Sequence, residues 1–138
     1  MHEWVDFREA AHASAVGKAL LVQLGQDERR DHLQRHRMER FTPHTITSQE
    51  VLFHELDTRH PGQPLLDLQE YALGTVCAAV PIRTGAEPEC VALSSPSPDP
   101  HRLRQAAHIL QNEAVAVLLA LLVAGSDTGG KLVAERGR

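Results

Sequence analysis

Residues 67–95 read DLQEYALGTVCAAVPIRTGAEPECVALSS, two apolar runs at 75–83 and 90–95 separated by the polar turn Thr84-Gly85-Ala86-Glu87-Pro88. Short apolar runs around such a turn make a β-hairpin the simplest object the stretch can form. Neither run alternates cleanly between apolar and polar residues, which suits strands covered on both faces. Helices or a second layer must therefore pack on each side. The rest of the chain reads as helix or loop, apart from a short alternating strand at residues 3–7 (EWVDF). Four polar residues stand out because a purely structural hairpin has no use for them: Asp67, Glu70, Cys77 and Ser94.

At 138 residues the chain is long enough for one domain with a sizeable core. Its formal net charge of −4 leaves no basic field for a phosphate backbone. The longest apolar run, 114–124, is far shorter than the roughly 20 residues of a membrane span. Two cysteines, Cys77 and Cys90, fall in the strands and could face one another. With no signal peptide they read as reduced thiols in the cytoplasm, and the plain alternative for both is a small buried apolar residue.

Helical periodicity begins at Ser14 and runs through Val16, Ala19 and Leu20 to a stop at Gly25. Gly17 inside it implies close approach to another backbone or a ligand, or else tight packing on a sheet. Residues 27–37 form a second, strongly charged helix. Its His32 and His36 have the i, i+4 spacing of metal ligands but no third partner, so the helix reads as solvated and no metal is expected. After a loop at 41–46, Thr47-Ser48-Gln49-Glu50 reads as a capping box opening a third helix, with Val51, Leu52, Leu56 and either His54 or Phe53 sharing the inward face. His60-Pro61-Gly62 ends it. Asp99-Pro100 then places an N-cap and a first-turn proline before a helix reaching about Ala124. Its first half carries Leu103, Ala106, Ala107, Leu110 and Ala114 on one stripe; 115–123, with Leu118 and Leu122, is apolar all round and needs cover. Residues 125–138 read as a disordered tail, leaving 1–124 as the domain.

Four blocks fall in one order: HASAVGKALL at 12–21, FTPHTIT at 41–47, QEYALGTVCAAVPI at 69–82 and VALS at 91–94. Together they resemble the effector-binding domain of IclR-type bacterial transcription regulators, and WVDFREAAHASAVGKALL resembles its actinobacterial branch. The resemblance implies an α/β (α+β) domain, GAF-like or profilin-like, with an antiparallel sheet, helices on both faces and a small-molecule pocket beside the sheet. In the family a winged helix-turn-helix precedes this domain. Neither that module nor the first family strands are found here, so the expectation is a partial sheet in a fragment truncated at its N-terminus, with an unpaired edge beside a hairpin strand. The resemblance further implies an effector site made of Ala15 and Val16 at the start of the HASAVGK helix, Asp67, the strand cysteine Cys77, and Ser94. A second serine found in some members is Pro96 here, which removes a donor.

The residues themselves are compatible with such a site. Amides at the start of the first helix suit a carboxylate, Cys77 and Ser94 add weaker hydrogen bonds, and Asp67 repels a bare carboxylate but accepts from a ligand hydroxyl. A hydroxy acid, phenolic acid or sugar-derived acid is the class this chemistry selects. The alternative for Asp67 is a turn residue capping its own backbone. The functional expectation is a non-enzymatic sensor: a small-molecule effector as partner, a homo-oligomer, no cofactor, no membrane, and DNA only through a helix-turn-helix absent from this chain. Two alternatives are an oligomerisation module with a vestigial pocket and a cysteine-dependent enzyme. Against the second, Cys77 has no activating helix N-terminus or cation beside it and no nucleophile motif accompanies it.

Overall fold

The computed structural model describes residues 9–82, 87–96, 99–124 and 134–135. In chain order the elements are α1 (Ala15–Leu21), α2 (Gln26–Arg35), α3 (Gln49–Thr58), β1 (Leu65–Leu68), β2 (Val76–Ile82), β3 (Glu89–Ser95), α4 (Pro100–Ala124) and β4 (Ala134–Glu135). The strands form one sheet in the order β1-β2-β3-β4, antiparallel except where β4 joins β3. This is the expected α+β class. The strand expected at 3–7 and most of the hairpin turn lie outside the described residues, but the hairpin pairing is present, with Val76 opposite Ser95 and Ile82 opposite Glu89.

Alternation along β2 divides the core in two. Val76, Ala78, Val80 and Ile82 point to one face and meet Leu103, Ala107 and Ala114 of α4. Ala79 and Cys77 point to the other, where Leu65, Cys90 and Ala92 join a larger cluster with α1 and α3. The hairpin is thus covered on both faces, as its unbroken apolar composition requires.

Several local expectations need correction. β1 falls where the sequence reads as loop: Leu66 packs toward α4 and Asp67 is buried on the opposite face, so a polar residue faces the interior and breaks the apolar period that marks a strand. α1 ends at Leu21, not near Gly25, because Arg29 of α2 folds back and donates from Nε to Leu21 O at 2.8 Å and from Nη2 to Val22 O at 3.2 Å. These are the carbonyls a helix end leaves unpaired. Gly25 serves instead as the N-cap of α2. That helix is not wholly solvated: Arg29 is buried, bonded to Asp57 and lying 5.5 Å from the centre of the Phe53 ring. At α3 the cap is Ser48, accepting from Val51 N, so Glu50 sits one position too early for a capping box. Leu52, Phe53 and Leu56 are buried there, and Val51 is exposed.

Asp99 Oδ1 accepts from His101 N and starts α4 as expected. The two cysteines do not face each other. Cys77 lies opposite Ser94 and Cys90 opposite Pro81, and neither forms a disulfide. The edge expected beside the hairpin is occupied on both sides, by β1 along β2 and by β4 at Val91 and Ala92 of β3. Among the described residues no helix is long and apolar enough to cross a membrane.

Candidate functional site

Three of the five expected site residues share one row of the sheet. Asp67 of β1 pairs with Cys77 of β2, and Cys77 pairs with Ser94 of β3, so the three side chains project side by side on the face covered by α1. Cys77 Sγ donates to Ser94 Oγ at 3.4 Å. Ala15 and Val16, both buried, begin α1 over this face. Ser14 caps the helix by accepting from Gly17 N at 2.9 Å, leaving the amides of Ala15 and Val16 without an intrahelical acceptor.

Gly17 is required by a close approach to backbone, one of the alternatives its sequence position allowed. A Cβ there would lie 2.3 Å from Ala11 Cα and 2.7 Å from Ala11 O. The start of α1 is therefore pressed against the segment leading into it.

Asp67 does cap its own turn. Its Oδ1 accepts from Glu70 N at 2.7 Å and Tyr71 N at 3.4 Å, while Gln69, just before them, takes a left-handed backbone, φ 59°. The loop at 41–46 grips the same turn from outside: Thr42 Oγ1 donates to Gln69 O at 2.6 Å and Thr45 Oγ1 to Glu70 O at 2.6 Å. Burial raises the Asp67 carboxyl from 3.8 to about 6, against the pull of its two amide donors. Cys90 is raised to about 11 by burial and is inert as a nucleophile at neutral pH.

Lys18 was not singled out from the sequence, and it is the most unusual side chain here. It is fully buried, and its ammonium donates to Glu70 Oε1 at 2.7 Å, Leu66 O at 3.0 Å and Glu55 Oε1 at 3.2 Å. Glu70 Oε2 in turn accepts from Leu68 N at 3.1 Å. The two charged groups thus occupy a carbonyl and an amide on β1 that would otherwise await a further strand. A lysine inside the apolar stripe of a short helix, with a lone glutamate after a strand, was the available signal. Burial raises the Glu70 carboxyl, and Lys18 opposes that shift.

A cavity of about 580 Å³ lies on the other side of Glu70, between β1 and α3, lined in part by Ile46, Glu55, Arg59, Leu66 and Glu70. None of the five expected site residues lines it. The row itself is covered: Asp67 is 3% exposed, and Cys77 packs against the α1 cluster. No group of three or more metal-ligating side chains gathers among the described residues; the His32 and His36 rings lie tilted against each other, centres 4.6 Å apart.

Residues 3–119 match the family model "Bacterial transcriptional regulator IclR C-terminal". The chain belongs to this family. Among curated relatives, it is 32% identical over 75 residues to the p-hydroxybenzoate hydroxylase transcriptional activator of Acinetobacter baylyi, a match covering 54% of this chain and 28% of that protein. It is 40% identical over 76 residues to the HTH-type transcriptional regulator XynR of Escherichia coli, covering 54% and 30%. The aligned stretch is less than a third of the length of either relative. Among solved structures, a double mutant of the inducer-binding domain of the Acinetobacter PobR transcription factor, in complex with 3-hydroxybenzoic acid, superposes with a TM-score of 0.68 at 26% identity, covering 78% of this chain and 65% of that one. An IclR homologue from Microbacterium hydrocarbonoxydans, complexed with 4-hydroxybenzoate, superposes with a TM-score of 0.69 at 27% identity, covering 83% and 47%.

Proposed function

We propose that this chain is the small-molecule-sensing part of a cytoplasmic, homo-oligomeric IclR-type transcription regulator. It has no catalytic role, and DNA contact belongs to a helix-turn-helix domain other than the one described. Its effector site is Ala15, Val16, Asp67, Cys77 and Ser94, and its effector is a small carboxylic acid carrying a hydroxyl group. The observation that carries the reading is the register that sets Asp67, Cys77 and Ser94 side by side on the α1 face.

The chemistry divides between two walls. Amides of Ala15 and Val16 take the ligand carboxylate, while Asp67, ionised above about pH 6, accepts from the ligand hydroxyl. Ser94 and the Cys77 thiol supply neutral hydrogen bonds between them. Pro96 offers none, which turns the preference away from the smallest acids and toward a ligand anchored by its own hydroxyl. The hydroxybenzoates bound to the two relatives are acids of this type.

Calorimetric titration with 3- and 4-hydroxybenzoate tests the reading. Binding is expected, and Ser94→Ala is expected to weaken it about tenfold, the worth of one hydrogen bond to a polar ligand. The same ligand should slow alkylation of Cys77 and leave Cys90 unchanged. An unaltered affinity in Ser94→Ala, together with equal protection of both cysteines, would place the ligand elsewhere.

A further inference from the structure

The proposed site has two walls on different elements, the start of α1 and the Asp67 turn, and one buried ion pair joins them. Lys18 stands three residues after Ala15 on the same helix, and its ammonium meets Glu70 Oε1 at 2.7 Å. Glu70 N donates to Asp67 Oδ1 at 2.7 Å. A continuous chain of bonds therefore runs from α1 to the carboxylate that would meet the effector. Cohesion alone does not call for it, because two apolar side chains of similar volume would hold the elements together without the cost of burying charge. An ammonium with three fixed acceptors has one position, whereas an apolar contact tolerates sliding.

We infer that Lys18 and Glu70 are positioning residues that fix the Asp67 carboxylate relative to the start of α1. This rests on the effector site proposed above. Glu55 shares the same ammonium at 3.2 Å from α3, but it touches neither wall. It is the natural control. The charged groups acting on Asp67 are Glu70 on its own turn and Lys18 from α1, with the Cys77 thiol opposite on β2.

The experiment combines two readouts on the full chain. Carboxyl-carbon NMR titration of Asp67 reports its setting with no ligand present, and calorimetry with 4-hydroxybenzoate reports the site. In Glu70→Gln the Asp67 midpoint should fall by at least half a pH unit, since a neighbouring negative charge is gone, and affinity should drop about tenfold. Glu55→Gln should leave both within experimental error. The double variant Lys18→Met with Glu70→Leu, which leaves Leu66 O and Leu68 N without these partners, should melt below the parent but still cooperatively, and bind at least tenfold more weakly. An unshifted Asp67 titration in Glu70→Gln, or a folded double variant with parental affinity, would overturn the inference. Absence of hydroxybenzoate binding in the parent chain would remove the effector reading and leave the titration to decide the positioning role.

Discussion

Asp67 is the residue where structure and proposed function pull against each other. A carboxyl whose midpoint rises from 3.8 to about 6 on folding keeps a proton that the unfolded chain has released. Stability therefore falls as pH rises between about 4 and 6, and the full cost is present above that window. Two units correspond to about 3 kcal/mol. Asn at this position keeps an oxygen for the Glu70 and Tyr71 amides and cannot ionise. Asp67→Asn is therefore expected to be more stable than the parent by about 1–3 kcal/mol at pH 7.5, and no more stable at pH 4, as read by thermal melts at both values. The same variant should bind a hydroxylated acid more weakly, because the acceptor for the ligand hydroxyl has lost its charge. A gain of equal size at both pH values would show that the buried charge is not what Asp67 costs.

At the scale of elements, Gly17 decides between two opposed rules. Helix propensity favours alanine over glycine by about 1 kcal/mol. Yet the added Cβ would fall 2.3 Å from Ala11 Cα, a backbone atom that cannot rotate away. Gly17→Ala is thus expected to lower stability, by about 1–3 kcal/mol on the scale of overpacked sites, in a denaturant midpoint at constant slope. A midpoint unchanged or raised would mean that the segment before α1 yields freely. Elements marked by local signals were legible in the sequence: the apolar hairpin, the Ser14 start of α1, and Asp99-Pro100 at α4. Those set by distant partners were not. β1 is a strand because β2 pairs with it, and α1 ends where Arg29 reaches its carbonyls. The candidate site followed the same division. Resemblance pointed to Asp67, Cys77 and Ser94, but their spacing could not reveal that they share one row. Lys18 carried one local mark, a charge within an apolar stripe, but its partners lie 37, 48 and 52 residues away and could not be read from it.

For the whole molecule, the length of α4 against the sheet has consequences for assembly. Its 25 residues extend about 37 Å, whereas the seven-residue strands β2 and β3 run about 24 Å. The inner stripe of Leu103, Ala107 and Ala114 packs on β2 and β3. Toward the end of the helix, Leu119 is 58% exposed and Val123 87%. The side chains of Leu118 and Leu122 lie outside the described residues, so these two exposed positions are the ones to test. Each is worth about 1.5–3 kcal/mol when fully buried, so a contact that buries both on each of two copies gains about 6–12 kcal/mol, set against the cost of association. We expect the chain to sediment as an oligomer, and Leu119→Glu with Val123→Glu to shift it toward monomer. Hydroxybenzoate affinity should be unchanged, because neither side chain belongs to the α1 face of the sheet. A parent chain that already sediments as a monomer would show that the end of α4 is not an interface. An oligomer indifferent to both substitutions would move the contact to the outer edge of β3, where β4 pairs only at Val91 and Ala92.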